Sequence, residues 1–307
     1  MPSLSGMDQI LGQETVVASL THDLSTGKYN HAYLFLGRHG TGKKTLALSF
    51  AAAILCTGRG RSATHCGGCP SCKRLEADTY ADFSAIWDKG GESIKIDQIK
   101  EIISSEHLKK QDGDHRIIFI ENAERLTVDA ANALLKILEE PLPGTIFLIS
   151  ANNEDSLPAT VLSRMEKYWL KPLSPEILGS ILEGLGYGDT PYLALGTIDE
   201  ARVLLDHTNK DIPDYEDLKE TLLGGDLEKI LALAEKLAGA DYLKELLSFY
   251  ELKAAENYRT ALKQGDPEYR NDLNLIDCLE EAGRRMERNV SKKNSLEYCF
   301  LHMGGIL

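Results

Sequence analysis

The sequence predicts an α/β domain built on a parallel β-sheet, followed by a part of the chain made of helices alone. In the first half, short apolar runs alternate with segments of helical periodicity. Strands that alternate with helices favour a parallel sheet with helices on both faces. In the second half, amphipathic helical patterns follow one another almost without interruption, which favours a helical architecture there.

Strands and helices can be placed individually in the α/β part. Each predicted strand is a short apolar run, as expected for a sheet that is covered on both faces. Residues 45–55 are predicted to form a helix after the first strand. Residues 128–140 have helical periodicity and end before Pro141, which cannot continue a helix. The predicted strands are residues 31–36 (HAYLFL), 116–120 (RIIFI) and 145–150 (TIFLIS).

A change in sequence character near residue 170 predicts the domain boundaries. Residues 1–170 form the predicted α/β domain, which carries a cysteine-rich insert at 56–72. Residues 171–207 contain a small helical unit interrupted by glycines. Residues 208–307 consist largely of amphipathic helices and form the predicted third domain.

The composition is that of a globular protein with an acidic charge balance. With 47 acidic and 34 basic residues, the formal net charge is −13. Because phosphate binding depends on concentrated Lys and Arg, we expect partners to supply most of any DNA contact. Basic pairs such as Lys109-Lys110 and Arg284-Arg285 are more typical of solvated faces. No membrane-length apolar run and no signal-peptide pattern is present, which predicts a cytoplasmic location and reduced thiols.

Residues 37–45, GRHGTGKKT, lie between a predicted strand and a predicted helix. In a phosphate-binding loop of this kind, backbone N–H groups and a helix N-terminus surround the phosphates, and Lys43 reaches the outer ones. The next residue is normally Ser or Thr, whose hydroxyl binds Mg²⁺, but here it is Lys44. Thr45 lies about 100° further round the helix and is not expected to replace that hydroxyl. Either the loop binds nucleotide without metal, or Lys44 occupies the cation position and suppresses Mg²⁺-dependent chemistry.

The end of the second predicted strand also lacks groups that hydrolysis requires. In active ATPases with such a loop, this strand ends in Asp-Glu; the Asp supports Mg²⁺ and the Glu polarises the attacking water. This chain has Glu121 and Asn122 there, and an amide cannot act as a general base. We therefore expect impaired hydrolysis at a degenerate site. Its candidate nucleotide-binding residues are Gly37, Gly40, Gly42, Lys43, Lys44, Thr45, Glu121 and Asn122.

Four cysteines of the insert have the spacing of a metal site. The pattern C-x9-C-x2-C-x2-C, with glycines and a proline that permit tight turns, suits tetrahedral Zn²⁺. Since sulfur would fill every position, the role would be structural. Disulfides and an iron–sulfur cluster are the alternatives, and His65 is a possible substitute ligand. The candidate metal ligands are Cys56, Cys66, Cys69 and Cys72.

Motifs in the first part of the chain carry a resemblance to one protein family, and the resemblance extends over essentially the whole chain. The motif NALLKILEEP is the most specific of them. The motifs are ILGQE at 10–14, HAYLFLG at 31–37, the cysteine module at 56–72, NALLKILEEP at 132–141 and LPATVLSR at 157–164. With them the chain resembles the AAA+ subunits of the bacterial DNA polymerase III clamp loader.

The resemblance implies an architecture, partners and one further site residue. The fold would be a RecA-like AAA+ nucleotide-fold domain, a small helical lid at 171–207 and a helical collar at 208–307. The partners would be gamma/tau and delta clamp-loader subunits, the sliding clamp and, mainly through the assembly, primed DNA, with no membrane partner. The family's Ser-Arg-Cys motif matches Ser163-Arg164-Met165. Arg164 is thus the candidate catalytic residue, an arginine finger acting in trans; the alternative is a surface or salt-bridging arginine.

Within this family some subunits resemble ATPase motors and others resemble stators. Lys44 and Asn122 favour a stator that is not an active ATPase alone, and so does Asp199, which stands where the motors carry a sensor arginine. An acid at that position would repel phosphate. Structural zinc is the expected cofactor, whereas the binding of ATP with Mg²⁺ is in question. Two alternatives stay open: a gamma/tau-type motor, and an AAA+ protein that serves another nucleic-acid transaction.

Overall fold

The chain divides into two compact units in the computed structural model, unit 1 (Met1–Leu173) and unit 2 (Ser174–Leu307). The structure describes residues 4–58, 60, 62–88, 92–106, 110, 113–141, 143–187, 192, 195–206, 213–267, 269–288 and 290–307.

Unit 1 is built on a parallel sheet of five strands in the order β2-β3-β4-β1-β5. All neighbouring strands run in the same direction. The three central strands, β3, β4 and β1, are buried along their whole length, as expected for apolar runs between two layers of helices. The strands are β1 (Ala32–Leu36), β2 (Phe83–Ile86), β3 (Arg116–Ile120), β4 (Thr145–Ala151) and β5 (Glu166–Trp169).

Helices cover both faces of this sheet and form two cores. Alternate strand residues such as Tyr33 and Phe35 pack with helices α1 and α2 on one face, whereas Leu34 and Leu36 pack with α4 and α5 on the other. The alternation follows from the two-residue period of a strand. The helices of unit 1 are α1 (Glu14–Thr26), α2 (Lys43–Leu55), α3 (Pro70–Glu76), α4 (Ile96–Glu106), α5 (Val128–Glu139) and α6 (Ala159–Leu162).

The elements that the sequence predicted in unit 1 are confirmed with small shifts of their ends. Helix α2 begins at Lys43, two residues before the predicted start at Thr45, and α5 ends at Glu139 rather than at residue 140. The edge strands β2 and β5 were not predicted. Strand β2 has only four residues, and the sequence of β5, EKYW, contains two charged residues.

Unit 2 consists of helices in its described part. Helix α11 packs along α12, and α13 packs against both α10 and α12. The carboxylate of Asp272 on α12 is 2% exposed and accepts hydrogen bonds from Tyr215 Oη at 2.7 Å and Lys219 Nζ at 2.8 Å, which ties α9 to α12. The helices are α7 (Pro175–Gly184), α8 (Ile198–Leu205), α9 (Tyr215–Leu223), α10 (Leu227–Ala238), α11 (Leu243–Gln264), α12 (Tyr269–Glu287) and α13 (Lys292–Met303).

Of the basic pairs singled out in the sequence, Arg284-Arg285 forms contacts with other side chains. Arg284 makes ion pairs with Glu280 at 3.2 Å and Glu281 at 3.0 Å, and the guanidinium of Arg285 lies 4.0 Å from the ring centroid of Tyr298. Lys109 lies outside the described residues. Within the described part of the chain, no helix combines the length and the apolar character that crossing a membrane requires.

The fold class predicted from the sequence, a parallel α/β domain followed by helices, is confirmed. Asp199, expected in the lid, lies in the first turn of α8. The division of the helical part into a lid at 171–207 and a collar at 208–307 stays a prediction.

Candidate functional site

The phosphate-binding loop predicted from the sequence connects the carboxyl end of β1 to the start of α2. Gly40 and Gly42 have φ of 77° and 89°, values in the left-handed region that side chains with a Cβ adopt at a cost. These two glycines let the chain turn back so that α2 begins directly behind the loop. The N-terminus of α2 therefore lies at the carboxyl edge of the sheet, where a phosphate loop requires it.

The side chain of Lys43 is folded back onto the loop itself. Its Nζ donates to the carbonyl oxygens of Gly37 at 2.5 Å and Arg38 at 2.8 Å, and to Asn152 Oδ1 at 3.0 Å. The residue is 6% exposed. The ammonium group that would reach a phosphate is thus held by acceptors from within the chain.

Lys44 lies beside the acidic residue at the end of β3. Its Nζ is 3.0 Å from Oε1 and 3.0 Å from Oε2 of Glu121, and it is 4.7 Å from the ring centroid of Trp87. The Glu121 side chain is only 13% exposed, whereas that of Lys44 is 41% exposed. An ammonium group therefore neutralises the carboxylate at the position where an active ATPase binds Mg²⁺.

The carboxamide of Asn122 is also held in place. Its Nδ2 donates to Asp88 Oδ2 at 2.7 Å, and its backbone N–H donates to Ser150 Oγ at 3.1 Å. The Asn122 backbone has a φ of 52°, in the left-handed region that Asn adopts more readily than most residues. Arg125 Nε lies 3.5 Å from the same Asp88 carboxylate oxygen. Asn122 is thus part of a polar network in place of a general base.

Three residues of this site were missed in the sequence. Trp87 and Asp88 follow β2, and Asn152 follows β4, so all three lie at the same edge of the sheet as Glu121. Asn152 was detectable, because polar residues directly after a buried parallel strand gather at the edge where ligands bind. Trp87 and Asp88 gave no comparable signal, since β2 itself was not predicted.

Most of the predicted nucleotide-site residues are brought together at the carboxyl edge of the sheet. The loop glycines, Lys43 and Lys44 come from the β1–α2 connection, and Glu121 and Asn122 come from the end of β3. Thr45 is exposed on the first turn of α2. At this edge Lys44 forms an ion pair with Glu121. The Lys43 ammonium group bonds the carbonyl oxygens of its own loop, so the loop is closed by its own lysine.

Arg164 lies at the opposite, amino edge of the sheet. It comes two residues before β5, whose first residue Glu166 is paired with Tyr33 near the start of β1. From Tyr33 to Gly37 the chain advances about 13 Å at the usual rise per residue of a strand. The Arg164 guanidinium donates to Glu139 Oε1 at 2.7 Å and to the carbonyl oxygen of Thr160 at 2.7 Å. It lines a cavity of about 560 Å³.

The four cysteines of the insert converge. Their sulfur atoms all lie within 4.8 Å of one another, and none is in a disulfide. Successive backbone N–H groups point at the sulfurs: Cys66 N–H donates to Cys56 Sγ, Cys69 N–H to Cys66 Sγ and Cys72 N–H to Cys69 Sγ, at 3.3, 3.3 and 3.4 Å. These hydrogen bonds would stabilise thiolates over thiols.

The geometry of the cluster fits a tetrahedral metal ion. Zinc–sulfur bonds of about 2.3 Å place sulfurs about 3.8 Å apart, and Cys56 Sγ and Cys69 Sγ are 3.8 Å apart. A Cβ at Gly58 would lie 2.9 Å from Cys66 Sγ, so only glycine fits beside the cluster. Burial alone would raise the pKa of Cys69, but the Cys72 N–H and nearby hydrogen bonds lower it to about 5.

Residues 12–174 match a sequence family described as "DNA polymerase III, delta subunit". The chain belongs to this family. The matched region corresponds to unit 1 without its first residues, and so it includes both the phosphate loop and the cysteine cluster.

Individual relatives are similar over somewhat more than half of the chain. The DNA polymerase III subunit delta' of Haemophilus influenzae is 35% identical over 190 residues, which cover 57% of this chain and 57% of that protein. The subunit tau/gamma of the same organism is 34% identical over 164 residues, 53% of this chain and 23% of that protein. The chain thus matches between about a quarter and somewhat more than half of the length of these relatives.

A solved structure supports the fold. A DNA polymerase III gamma subunit-related protein from Thermotoga maritima superposes with a TM-score of 0.50 at 17% identity, covering 94% of this chain and 98% of that one. The AAA+-type fold predicted from the sequence is confirmed. Because relatives named delta' and tau/gamma match with nearly equal identity, the choice between the two types rests on the site residues.

Proposed function

We propose that the chain is a non-hydrolysing stator subunit, of the delta' type, in a DNA polymerase III clamp loader. In this role it assembles with gamma/tau and delta subunits, and the assembly loads the sliding clamp onto primed DNA. The isolated chain hydrolyses no ATP. Its contribution to hydrolysis is Arg164, presented to the ATP site of a neighbouring motor subunit. The helices of unit 2 serve as lid and collar.

The observation that carries this proposal is the ion pair between Lys44 and Glu121. The ammonium group is 3.0 Å from both carboxylate oxygens, so a metal ion would have to compete with a covalently attached cation for the same ligand. Asn122, held by Asp88 at 2.7 Å, offers no carboxylate to activate water. The carboxylate at the metal position is thereby paired with a lysine, and an amide stands at the position of the general base.

The position of Arg164 supports a role in trans. Arg164 lies at the amino edge of the sheet and the phosphate loop at the carboxyl edge, and strand β1 spans about 13 Å between the two. The Arg164 guanidinium is therefore remote from the chain's own phosphate loop. An arginine at the surface of one subunit can instead stabilise the charge on a phosphoryl group bound by the next. A disabled site at one edge and an arginine at the other are the arrangement expected of a stator.

We further propose that Cys56, Cys66, Cys69 and Cys72 bind one structural Zn²⁺. The sulfur separations and the N–H···S hydrogen bonds support this assignment. With four sulfur ligands the ion has no open position for water or substrate. When bound, the ion would have a structural role and no catalytic one. The four cysteine side chains that ligate it would stabilise the fold of the insert after α2.

The decisive experiment is the Arg164→Ala substitution in the rebuilt assembly. We expect DNA-stimulated ATP hydrolysis to fall at least several-fold, because the motor site loses its trans guanidinium. Arg259→Ala, an exposed arginine of unit 2, is the matched control and should leave the rate unchanged. Wild-type activity of an assembly that contains Arg164→Ala would refute the finger role.

Turnover by the isolated chain separates the stator from a gamma/tau-type motor. The similarity to the tau/gamma subunit of Haemophilus influenzae makes the motor the relevant second candidate. The purified chain should release no phosphate from ATP above the background of a Lys43→Ala variant, with or without Mg²⁺. Mg²⁺-dependent turnover that Lys43→Ala abolishes would favour the motor.

A further inference from the structure

The guanidinium of Arg164 donates hydrogen bonds on two sides. On one side, Nη1 donates to the Thr160 carbonyl oxygen at 2.7 Å and to Ser163 Oγ at 3.2 Å. On the other side, Nη2 donates to Glu139 Oε1 at 2.7 Å, a distance typical of a charge-assisted hydrogen bond. The first two acceptors are local neighbours in sequence. Glu139 reaches the arginine from the end of another helix, α5.

Stability does not explain this pairing. The side chains of Arg164 and Glu139 are 33% and 44% exposed, and ion pairs at such exposure contribute little to folding. Glu139 is moreover the last residue of α5, where the helix dipole disfavours a carboxylate. A carboxylate at this position is therefore better explained by what it does to Arg164 than by what it does for the helix.

The hydrogen bonds leave part of the guanidinium available to a ligand. A guanidinium carries five N–H donors, and in the described part of the chain Arg164 uses three hydrogen bonds. A long side chain that is fixed before its ligand arrives loses less conformational freedom when it binds. These three hydrogen bonds thus order the Arg164 side chain and still leave N–H donors of the guanidinium for an anion.

The contact with Glu139 is selective among the acids nearby. Glu166 also lines the cavity beside Arg164, but its Oε1 accepts a hydrogen bond from Tyr168 Oη at 2.8 Å. Glu139 is the carboxylate that bonds Arg164. The two acids therefore have different partners, and only one is placed to orient the arginine.

We infer that Glu139 is a positioning residue, which holds Arg164 in the orientation needed to meet a phosphate of the neighbouring subunit. This inference rests on the proposed function, since it assumes that Arg164 acts in trans. Glu139 acts only through Arg164 and does not itself contact the nucleotide. Its loss should impair catalysis through misplacement of the guanidinium, with little effect on how tightly the motor subunit binds ATP.

The test compares variants of Glu139 in the rebuilt assembly. Glu139→Ala should lower kcat for DNA-stimulated ATP hydrolysis about three- to tenfold, with the KM for ATP unchanged within about twofold. Glu139→Gln keeps an acceptor oxygen at the same place and should retain at least half of the wild-type kcat. Asp129→Ala removes an exposed acid from the first turn of the same helix and should have no effect.

A double-mutant cycle shows whether Glu139 works through Arg164. In the Arg164→Ala background, Glu139→Ala should cause no further loss, because residues that act as a unit are not additive. An equal loss in both backgrounds, or a wild-type kcat for Glu139→Ala, would overturn the inference. Thermal denaturation of the isolated variants, expected within about 4 °C of wild type, excludes unfolding as the cause.

The outcomes also separate this inference from the proposed function. If Arg164→Ala lowers the ATPase rate but Glu139→Ala does not, the finger stands and the positioning role is wrong. If Arg164→Ala has no effect, the finger role and the positioning role are both wrong.

Discussion

The substitution Lys44→Thr tests whether an internal ammonium group excludes magnesium from the phosphate loop. Lys44 Nζ lies 3.0 Å from Glu121, and a Mg²⁺ ion bound by that carboxylate would lie about 2.1 Å from its oxygen. The two cations would then be at most about 5 Å apart. Even at the dielectric constant of bulk water, a single and a double charge at this distance repel by about 1.7 kcal/mol.

That repulsion corresponds to more than a tenfold change in a dissociation constant, and to more where the dielectric constant is lower. We therefore expect Lys44→Thr to bind Mg²⁺ in the presence of saturating ADP at least about tenfold more tightly than wild type. Isothermal titration calorimetry with Mg²⁺ measures the difference. Lys44→Arg keeps the charge and should remain as weak as wild type.

The reasoning fails if the wild-type chain and Lys44→Thr bind Mg²⁺ with equal affinity. It also fails if Lys44→Arg gains affinity as Lys44→Thr does, because charge would then not be the cause. Phosphate release by Lys44→Thr should stay at background, since Asn122 still provides no general base.

Two further predictions concern the stability of unit 1. Elemental analysis should find one Zn per chain. Cys69→Ser should lower both the zinc content and the melting temperature of unit 1, because metal binding is coupled to folding of the insert. A folded wild-type chain without metal would contradict this. Arg116→Ala removes the cation at 2.9 Å from Asp82, whose side chain is 0% exposed. We expect a loss of about 3–5 kcal/mol, visible as a large fall in the calorimetric melting temperature, whereas Arg74→Ala at the surface should have a small effect.

The central part of the fold could be predicted because its signals are local. Each of the strands β1, β3 and β4 is a continuous apolar run, and burial on both faces demands such a run. The phosphate loop lies within nine consecutive residues, 37–45, and the cysteine spacing is equally compact. In such cases the residues that define a feature are neighbours in sequence, so pattern and structure coincide.

The contacts that complete the site were not predictable, because they join distant parts of the chain. The edge strand β2 gave no apolar run, so Trp87 and Asp88 had no assigned position. The partner of Asn122, Asp88, is 34 residues away, and the partner of Arg164, Glu139, is 25 residues away. Sequence patterns indicate which side chains are unusual, but the sheet order determines which of them meet.

The internal contacts of the phosphate loop argue that restoring one residue would not restore an ATPase. Lys43 is bonded to the loop carbonyls and Asn152, Lys44 to Glu121, and Asn122 to Asp88. In the proposed stator, each of these contacts satisfies a polar group of the site, so a substitution at one position leaves another polar group without its partner, which is unfavourable when it is buried. A Glu in place of Asn122 would also have to adopt a φ near 52°, which is less accessible to Glu than to Asn. The site is thus held in its closed arrangement by several interactions at once, and we expect nucleotide chemistry to return only if Lys44 and Asn122 are changed together with their partners.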